Sequence, residues 1–168
     1  MKANTMKDRW AEITATYFYV GYLKPAPGTW GSLAALPLAW LIYAIGGVWL
    51  MALAIPATYV KGYLATKWMT QGRDNHDPSE IVIDEVVGQW IALMPVFIGA
   101  AHAGVSALAL WPGWIAAFVL FRLFDITKPG PVGWADRKDN ATGVMLDDVI
   151  AGLLAAVCVA ALGALWHG

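Results

Sequence analysis

Charge and cysteine are scarce in this chain. Only 14% of its 168 residues are charged, against about 25% in a typical soluble domain, while 59% are hydrophobic and the mean hydropathy is +0.56. This composition indicates a membrane protein rather than an ordinary soluble domain. The single cysteine, Cys158, lies in an apolar run, which excludes a disulfide framework and a thiolate metal site. The net charge of −1 gives no reason to expect a nucleic-acid partner.

The beginning of the chain lacks the apolar stretch of a cleaved signal peptide, so we do not expect such cleavage. The length predicts one domain over residues 1–168. Within it we expect a polar N-terminal segment at 1–24, a motif-bearing region at 27–152 and a last apolar helix at 149–166.

The charged residues fall in three clusters separated by long uncharged blocks. The clusters are Lys2–Lys24, Lys61–Glu85 and Arg122–Asp148, and the blocks are Pro25–Val60, Val86–Phe121 and Val149–Gly168. A helix over either of the first two blocks would be about 54 Å long, too long for one crossing of a hydrocarbon core of about 30 Å. We therefore expect two helical hairpins, with turns at Gly46-Gly47 and between Gly99 and Gly113. The last block has room for one span, so the predicted fold is all-α, a helical membrane protein with about five short spans or hairpins.

This topology places all three charged clusters on one side of the membrane. Because every Lys and Arg is then on that side, the positive-inside rule assigns it to the cytoplasm. Four tryptophans would lie near the opposite interface: Trp49, Trp111, Trp114 and Trp166. Two alternatives stay open, a soluble all-α domain with a wide apolar core and helices that only partly enter the bilayer.

Carboxylates are concentrated where the charged clusters meet the apolar blocks. The topology brings five of them to one membrane surface: Asp84, Glu85, Asp125, Asp147 and Asp148. Like charges that close must take up protons or share a cation, and Mg²⁺ prefers oxygen ligands. The sequence therefore predicts a Mg²⁺ site at the cytoplasmic face. The simpler interpretation is that acids at helix starts complement the helix dipole, which applies to both adjacent pairs.

The middle cluster adds cationic side chains to the acids. Arg122, Asp125 and Lys128 are spaced i, i+3, i+6 and share one helical face, which Pro129 then ends. Arginine can bind a phosphate with two hydrogen bonds and lysine can supply a point charge, so both are candidate catalytic and substrate-binding residues. The alternative is that both side chains extend to lipid headgroups.

Two further segments are candidates for substrate contact. Thr29 and Ser32 precede the first apolar helix, where either could cap the helix or the free N–H groups could bind phosphate. A plain capped turn is the favoured interpretation there. Asp77 is a candidate substrate-binding residue, and its neighbour His76 is best interpreted as a loop residue rather than a ligand or proton donor.

Several phosphate chemistries lack their residues here. The chain has no Cys-x5-Arg and no phosphate-binding P-loop. Two of the three histidines, His102 and His167, fall on the predicted far side, which disfavours a histidine nucleophile. Metal-assisted attack by water remains, with Arg122 and Lys128 stabilising the developing charge.

Four stretches of the sequence resemble one known family. They are PGTWGSLAALP, HDPSEIVIDEVVGQW, FRLFDITKPGPVGWADR and GVMLDDVIAG, which lie between Pro27 and Gly152 in the family's order and approximate spacing. The sequence is similar to phosphatidylglycerophosphatase A. One stretch departs from that pattern: residues 139–143 keep a single glycine where members often carry a glycine-rich loop.

The resemblance implies a Mg²⁺-dependent phosphatase of the bacterial inner membrane that converts phosphatidylglycerophosphate to phosphatidylglycerol. It also implies that the five acids belong to the active site together with Arg122 and Lys128. We expect Asp84 and Asp148 to bind the metal, Glu85 and Asp147 to bind it or orient water, and Asp125 to act as ligand or general base.

Other functions stay open as alternatives. A phosphotransferase acting on lipid precursors would usually carry an Asp-x2-Asp-Gly pattern, which is missing here. A divalent-cation transporter would need polar groups at mid-membrane, whereas these acids lie near the span ends. The expected partners are the lipid substrate and the bilayer, and a homo-oligomer is possible.

Overall fold

The structure is a computed structural model that describes residues 5–72, 78–138 and 140–167. Every regular element in these residues is helical, which confirms the all-α prediction. The α-helices are α1 (Met6–Ala15), α2 (Pro27–Thr70), α3 (Ile83–Ala103), α4 (Trp111–Thr127), α5 (Pro131–Asp136) and α6 (Ala141–His167).

Helix α2 is interrupted at the predicted glycine pair. Gly47 has φ 62° and ψ −157°, a backbone conformation that only glycine adopts without strain. Both halves of α2 pack against the start of α3, so the chain must reverse direction at Gly47. A Cβ built on Gly31 would lie 2.8 Å from the Val82 Cβ, and one built on Gly62 would lie 3.0 Å from the Ile83 Cγ1. In one straight helix these two glycines would be about 46 Å apart, so the first predicted hairpin is confirmed.

The second predicted hairpin is formed by α3 and α4. Helix α3 ends at Ala103, and Gly104 closes it in the left-handed conformation with φ 65°. A short 3-10 turn over Ala107–Leu110 then leads into α4. The turn therefore lies within the predicted Gly99–Gly113 interval.

The last helix is longer than predicted. It begins at Ala141, not at residue 149. Asp147 and Asp148 consequently lie inside α6, so the helix-dipole interpretation fails for this pair. It holds only for Asp84 and Glu85, which are in the first turn of α3.

Within the described residues, four helices are long and apolar enough to cross a membrane: Pro27–Thr70, Ile83–Ala103, Ala107–Thr127 and Ala141–Trp166. Because α2 is interrupted, they provide five helical segments, in agreement with the predicted number. In its most apolar window α3 is 56% buried, whereas α2 is 11% buried. Helix α3 is thus the centre of the bundle, and the apolar surface of the surrounding helices matches a lipid environment. The chain is a helical membrane protein.

Helices α3 and α6 cross at close range through a pair of glycines. A Cβ built on Gly88 would lie 2.6 Å from the carbonyl oxygen of Asp148, and one built on Gly152 would contact the carbonyl oxygen of Gly88. Small residues allow such close backbone approach in membrane bundles. This crossing brings Asp148 next to the first turn of α3.

Candidate active site

Three carboxylates from two helices meet at one end of the bundle. Asp84 and Glu85 come from the first turn of α3, and Asp148 comes from α6. One carboxylate oxygen from each residue lies within 4.8 Å of those from the other two. Asp84 is 6% exposed and Asp148 3%. Buried carboxylates that lie this close repel one another, so this group fits a shared cation.

Arg122 lies beside this carboxylate group. Its Nη1 is 4.0 Å from the Glu85 Oε1, and it forms an ion pair with Asp125 one turn further along α4. The three side chains are only 14–15% exposed. The guanidinium therefore connects α4 to α3 and partly balances the negative charge.

Lys128 makes the corresponding link to α6. It caps the C-terminus of α4 in the left-handed conformation, and its Nζ donates to the Asp147 Oδ2 at 3.1 Å. It also forms an ion pair with Asp136 of α5. Burial alone would lower the pKa of Lys128, but the hydrogen bonds and charges of Asp136 and Asp147 raise it above its ordinary value. The ammonium therefore stays protonated at neutral pH.

The five predicted acids thus divide into two kinds. Asp84, Glu85 and Asp148 form the close group, in which Glu85 also lies 4.0 Å from Arg122, whereas Asp125 and Asp147 lie outside that group and each forms an ion pair. All five line one cavity of about 330 Å³, and so do Arg122 and Lys128. That volume is at the low end of the range for small-molecule sites.

The structure places the two candidate residues at the start of α2 outside the cavity. The helix begins at Pro27 with Ala26 as its N-cap, so neither Thr29 nor Ser32 caps it. The Ser32 hydroxyl donates to the Gly28 carbonyl at 2.9 Å, and neither Thr29 nor Ser32 lines the cavity. His76 and Asp77 lie outside the described residues, so their roles stay untested.

Among the residues at or near the cavity that sequence reasoning missed, three bear on its chemistry. Gly28 lines it, and a Cβ built there would contact the Glu85 Oε1 and lie 3.1 Å from the Arg122 Nη1. Ser79 adds a hydroxyl to the lining, and Asp136 holds Lys128 from outside it. The Pro-Gly start of α2 and Ser79, two residues after Asp77, could have been found in the sequence. The contact of Asp136 depends on the placement of α5.

The buried polar atoms test whether a cation fits. Within the described residues, the Glu85 Oε2 and the Arg122 Nε are buried without a hydrogen-bond partner. An unpartnered carboxylate oxygen beside Asp84 and Asp148 has the chemistry of a metal ligand. An all-oxygen ligand set suits hard cations such as Mg²⁺, Ca²⁺ or Mn²⁺.

The family model for phosphatidylglycerophosphatase A matches residues 13–163. The chain belongs to the phosphatidylglycerophosphatase A family. This match confirms the resemblance seen in the sequence motifs. It also includes every residue that lines the cavity.

Two curated relatives carry the family's name, and a third that matches over most of its length carries another. Phosphatidylglycerophosphatase A of Haemophilus influenzae is 36% identical over 151 residues, which cover 89% of this chain and 86% of the relative. That of Escherichia coli K12 is 32% identical over 163 residues, covering 96% and 87%. A Bacteroides thetaiotaomicron protein named "Putative phosphatidylinositol-3-phosphatase" is 34% identical over 154 residues, covering 88% and 90%. No solved structure matches the chain.

Proposed function

We propose that this member of the phosphatidylglycerophosphatase A family uses Mg²⁺ to hydrolyse the terminal phosphate of phosphatidylglycerophosphate. Water attacks phosphorus, the bond from phosphorus to the terminal glycerol oxygen breaks, and that oxygen takes up a proton. The products are phosphatidylglycerol and inorganic phosphate. The observation that carries the proposal is the group of Asp84, Glu85 and Asp148 in a cavity that Arg122 and Lys128 also line.

Asp84, Glu85 and Asp148 would hold the cation. When bound, Mg²⁺ neutralises charge on phosphoryl oxygens and lowers the pKa of water. The unpartnered Oε2 of Glu85 supports this assignment. Asp125, which also lines the cavity, serves as a further ligand or as the general base.

The cationic side chains bind the phosphate. Arg122 is held between Glu85 and Asp125, and it donates from the cavity wall to phosphate oxygens. Lys128 is held by Asp136 and Asp147 and supplies a point charge. Both groups stabilise the negative charge of the transition state because they are already oriented before the substrate arrives.

The start of α2 offers a third contact to the phosphate. Gly28 lies in the first helical turn, where backbone N–H groups have no partner within the helix. The positive end of the helix dipole attracts an anion there. Because Gly28 has no side chain, the backbone can approach Glu85 and Arg122 closely.

The membrane holds the rest of the substrate. The acyl chains stay in the bilayer while the headgroup reaches the cavity at the end of the helices. We place this cavity at the cytoplasmic face of the bacterial inner membrane, because the Lys and Arg clusters share that side in the predicted topology. A homo-oligomer stays a prediction.

Phosphate release from phosphatidylglycerophosphate in detergent micelles tests the proposal. We expect wild-type protein to release phosphate with Mg²⁺ and to stop when EDTA removes the cation. Asp84→Asn should lose the activity while eluting as folded protein. Glu12→Gln is the matched control, because Glu12 lies on α1 outside the cavity and its carboxylate accepts from the Tyr22 hydroxyl at 2.8 Å. A near-normal rate for Asp84→Asn would refute the assignment of this ligand.

The choice of lipid needs its own comparison. One relative carries the name of a phosphatidylinositol 3-phosphate phosphatase, so that lipid is the natural competitor. We expect a higher kcat/KM for phosphatidylglycerophosphate. Folded protein that releases no phosphate from either lipid would direct attention to the transporter alternative, which cation flux into liposomes would test.

A further inference from the structure

Gln89 is a buried amide without a protein partner in the described part of the chain. Its side chain is fully buried, and neither its Oε1 nor its Nε2 has a hydrogen-bond partner there. Buried polar groups are nearly always satisfied by protein or by ordered water. An apolar side chain of similar volume would avoid this problem, so the amide needs an explanation.

The position of Gln89 on α3 supplies an explanation for the buried amide. Gln89 follows Glu85 by four residues on α3, so the two share a helical face with their Cβ atoms about 5–6 Å apart. Side chains on a helix lean toward its N-terminus, so Gln89 covers the turn that bears Glu85. The Glu85 Oε2 is itself buried and unpartnered within the described residues. The two residues with unpartnered atoms are therefore neighbours on one face of α3.

We infer that an ordered water bridges the Gln89 amide and the Glu85 carboxylate, and that Gln89 is a positioning residue for the cation site. The water donates to the Glu85 Oε2 and is held by the Gln89 amide, which can both donate and accept. Carboxylates that bind metals are commonly oriented by such outer hydrogen bonds. Gln89 does not line the cavity, which separates it from the substrate phosphate. The inference rests on the proposed function, because it assumes that Glu85 binds a cation.

Manganese binding to the full-length protein in detergent tests the inference without any turnover. The probe is Mn²⁺, and the free ion is measured by electron paramagnetic resonance. Gln89→Met removes the amide at similar length, and we expect the dissociation constant for Mn²⁺ to rise about 10- to 100-fold. The melting temperature of the metal-free variant should stay equal or rise, because an unsatisfied amide has been removed.

Thr66→Val is the matched control. Thr66 lies on α2 and is fully buried, and its Oγ1 also lacks a hydrogen-bond partner within the described residues. Like Gln89, it does not line the cavity. Valine has nearly the same shape, so this change removes a buried polar atom elsewhere in the bundle. We expect wild-type Mn²⁺ affinity for this variant.

Wild-type Mn²⁺ affinity in folded Gln89→Met would overturn the inference. So would a raised KM for the lipid at unchanged Mn²⁺ affinity, because that result would assign Gln89 to the substrate. If Gln89→Met does not fold, Gln89→Asn keeps the amide but withdraws it by one methylene. Weaker Mn²⁺ binding by Gln89→Asn supports the bridge, and unchanged binding overturns it. Failure of the wild type to bind Mn²⁺ would instead remove the proposed cation site itself.

Discussion

The carboxylates of the cavity differ in their neighbours, and these neighbours decide what each carboxylate can do. Asp148 lies in the close group with Asp84 and Glu85, whereas Asp147, the next residue along the chain, accepts from Lys128. Adjacent acids on one helix point in directions about 100° apart. Asp147 and Asp148 are therefore expected to respond differently to the same substitution.

Neutralising these two acids tests that difference. Asp148→Asn removes a proposed cation ligand, and we expect the Mg²⁺-dependent rate to fall by at least about 100-fold. Asp147→Asn leaves the ligands in place but weakens the hold on Lys128, so a loss of about 10-fold is expected. Phosphate release at saturating Mg²⁺ measures both. A greater loss for Asp147→Asn than for Asp148→Asn would contradict the division of the acids.

Gly28 shows how the absence of a side chain can matter at this site. Gly28→Ala places a methyl group against the Glu85 Oε1 and 3.1 Å from the Arg122 Nη1. We expect at least about a 10-fold loss of kcat/KM with little change in melting temperature, because the displaced groups belong to the cavity wall. Gly163→Ala is the control, since a Cβ there meets nothing within 4 Å. Wild-type kcat/KM in Gly28→Ala would argue against close contact between α2 and the phosphate site.

The contact between two helices decides whether the carboxylates meet at all. Asp148 reaches Asp84 and Glu85 because α3 and α6 approach at Gly88 and Gly152. A side chain at either glycine would push the helix axes apart. Small shifts at such a crossing would move Asp148 away from Asp84 and Glu85.

Gly88→Ala tests the crossing. Its methyl group would meet the Asp148 carbonyl oxygen at 2.6 Å. Overpacking of this kind costs about 1–3 kcal/mol of folding stability. We expect a lower melting temperature together with weaker Mn²⁺ binding. Gly99→Ala on the same helix is the control, because its Cβ would have only an ordinary contact, 3.7 Å from the Leu110 Cδ1. Equal effects of the two substitutions would show that the crossing has no special role.

Over the entire chain, the distribution of charge predicts how the bundle sits in the membrane. The turn between α3 and α4 lies at one end of the membrane-length helices. The start of α6 lies at the opposite end. Large apolar side chains remain exposed between them, including Leu53, Ile115 and Val157. Such an exposed apolar surface is typical of a protein surrounded by lipid or detergent.

Cysteine labelling in intact cells tests the orientation. In a Cys158→Ala background, Ser106→Cys marks the turn between α3 and α4, and Arg137→Cys marks the exposed residue after α5 on the cavity side. We expect a membrane-impermeant maleimide to label Ser106→Cys directly and Arg137→Cys only after permeabilisation. The reverse pattern would place the cavity outside the cytoplasm.

Much of the helical framework was predictable from charge and glycine alone. The hairpin at Gly46-Gly47 followed from a block too long to cross a membrane once, and the structure breaks the helix there. The start of α6 was not predictable in this way. Charged residues usually mark the boundaries of apolar helices, but a helix can continue into a charged cluster when its acids are buried against neighbouring helices.

The sequence alone determined the membrane character, the all-α fold, the family and the types of side chain available for phosphate chemistry. Composition and local spacing suffice for these because they depend on which residues are present and how they repeat. Only the tertiary structure decided which of the five acids lie close together, that Gly28 rather than Thr29 or Ser32 lines the cavity, and that Asp136 holds Lys128. These contacts join residues from separate helices. Their distances depend on how closely the helices pack, which no local pattern in the sequence specifies.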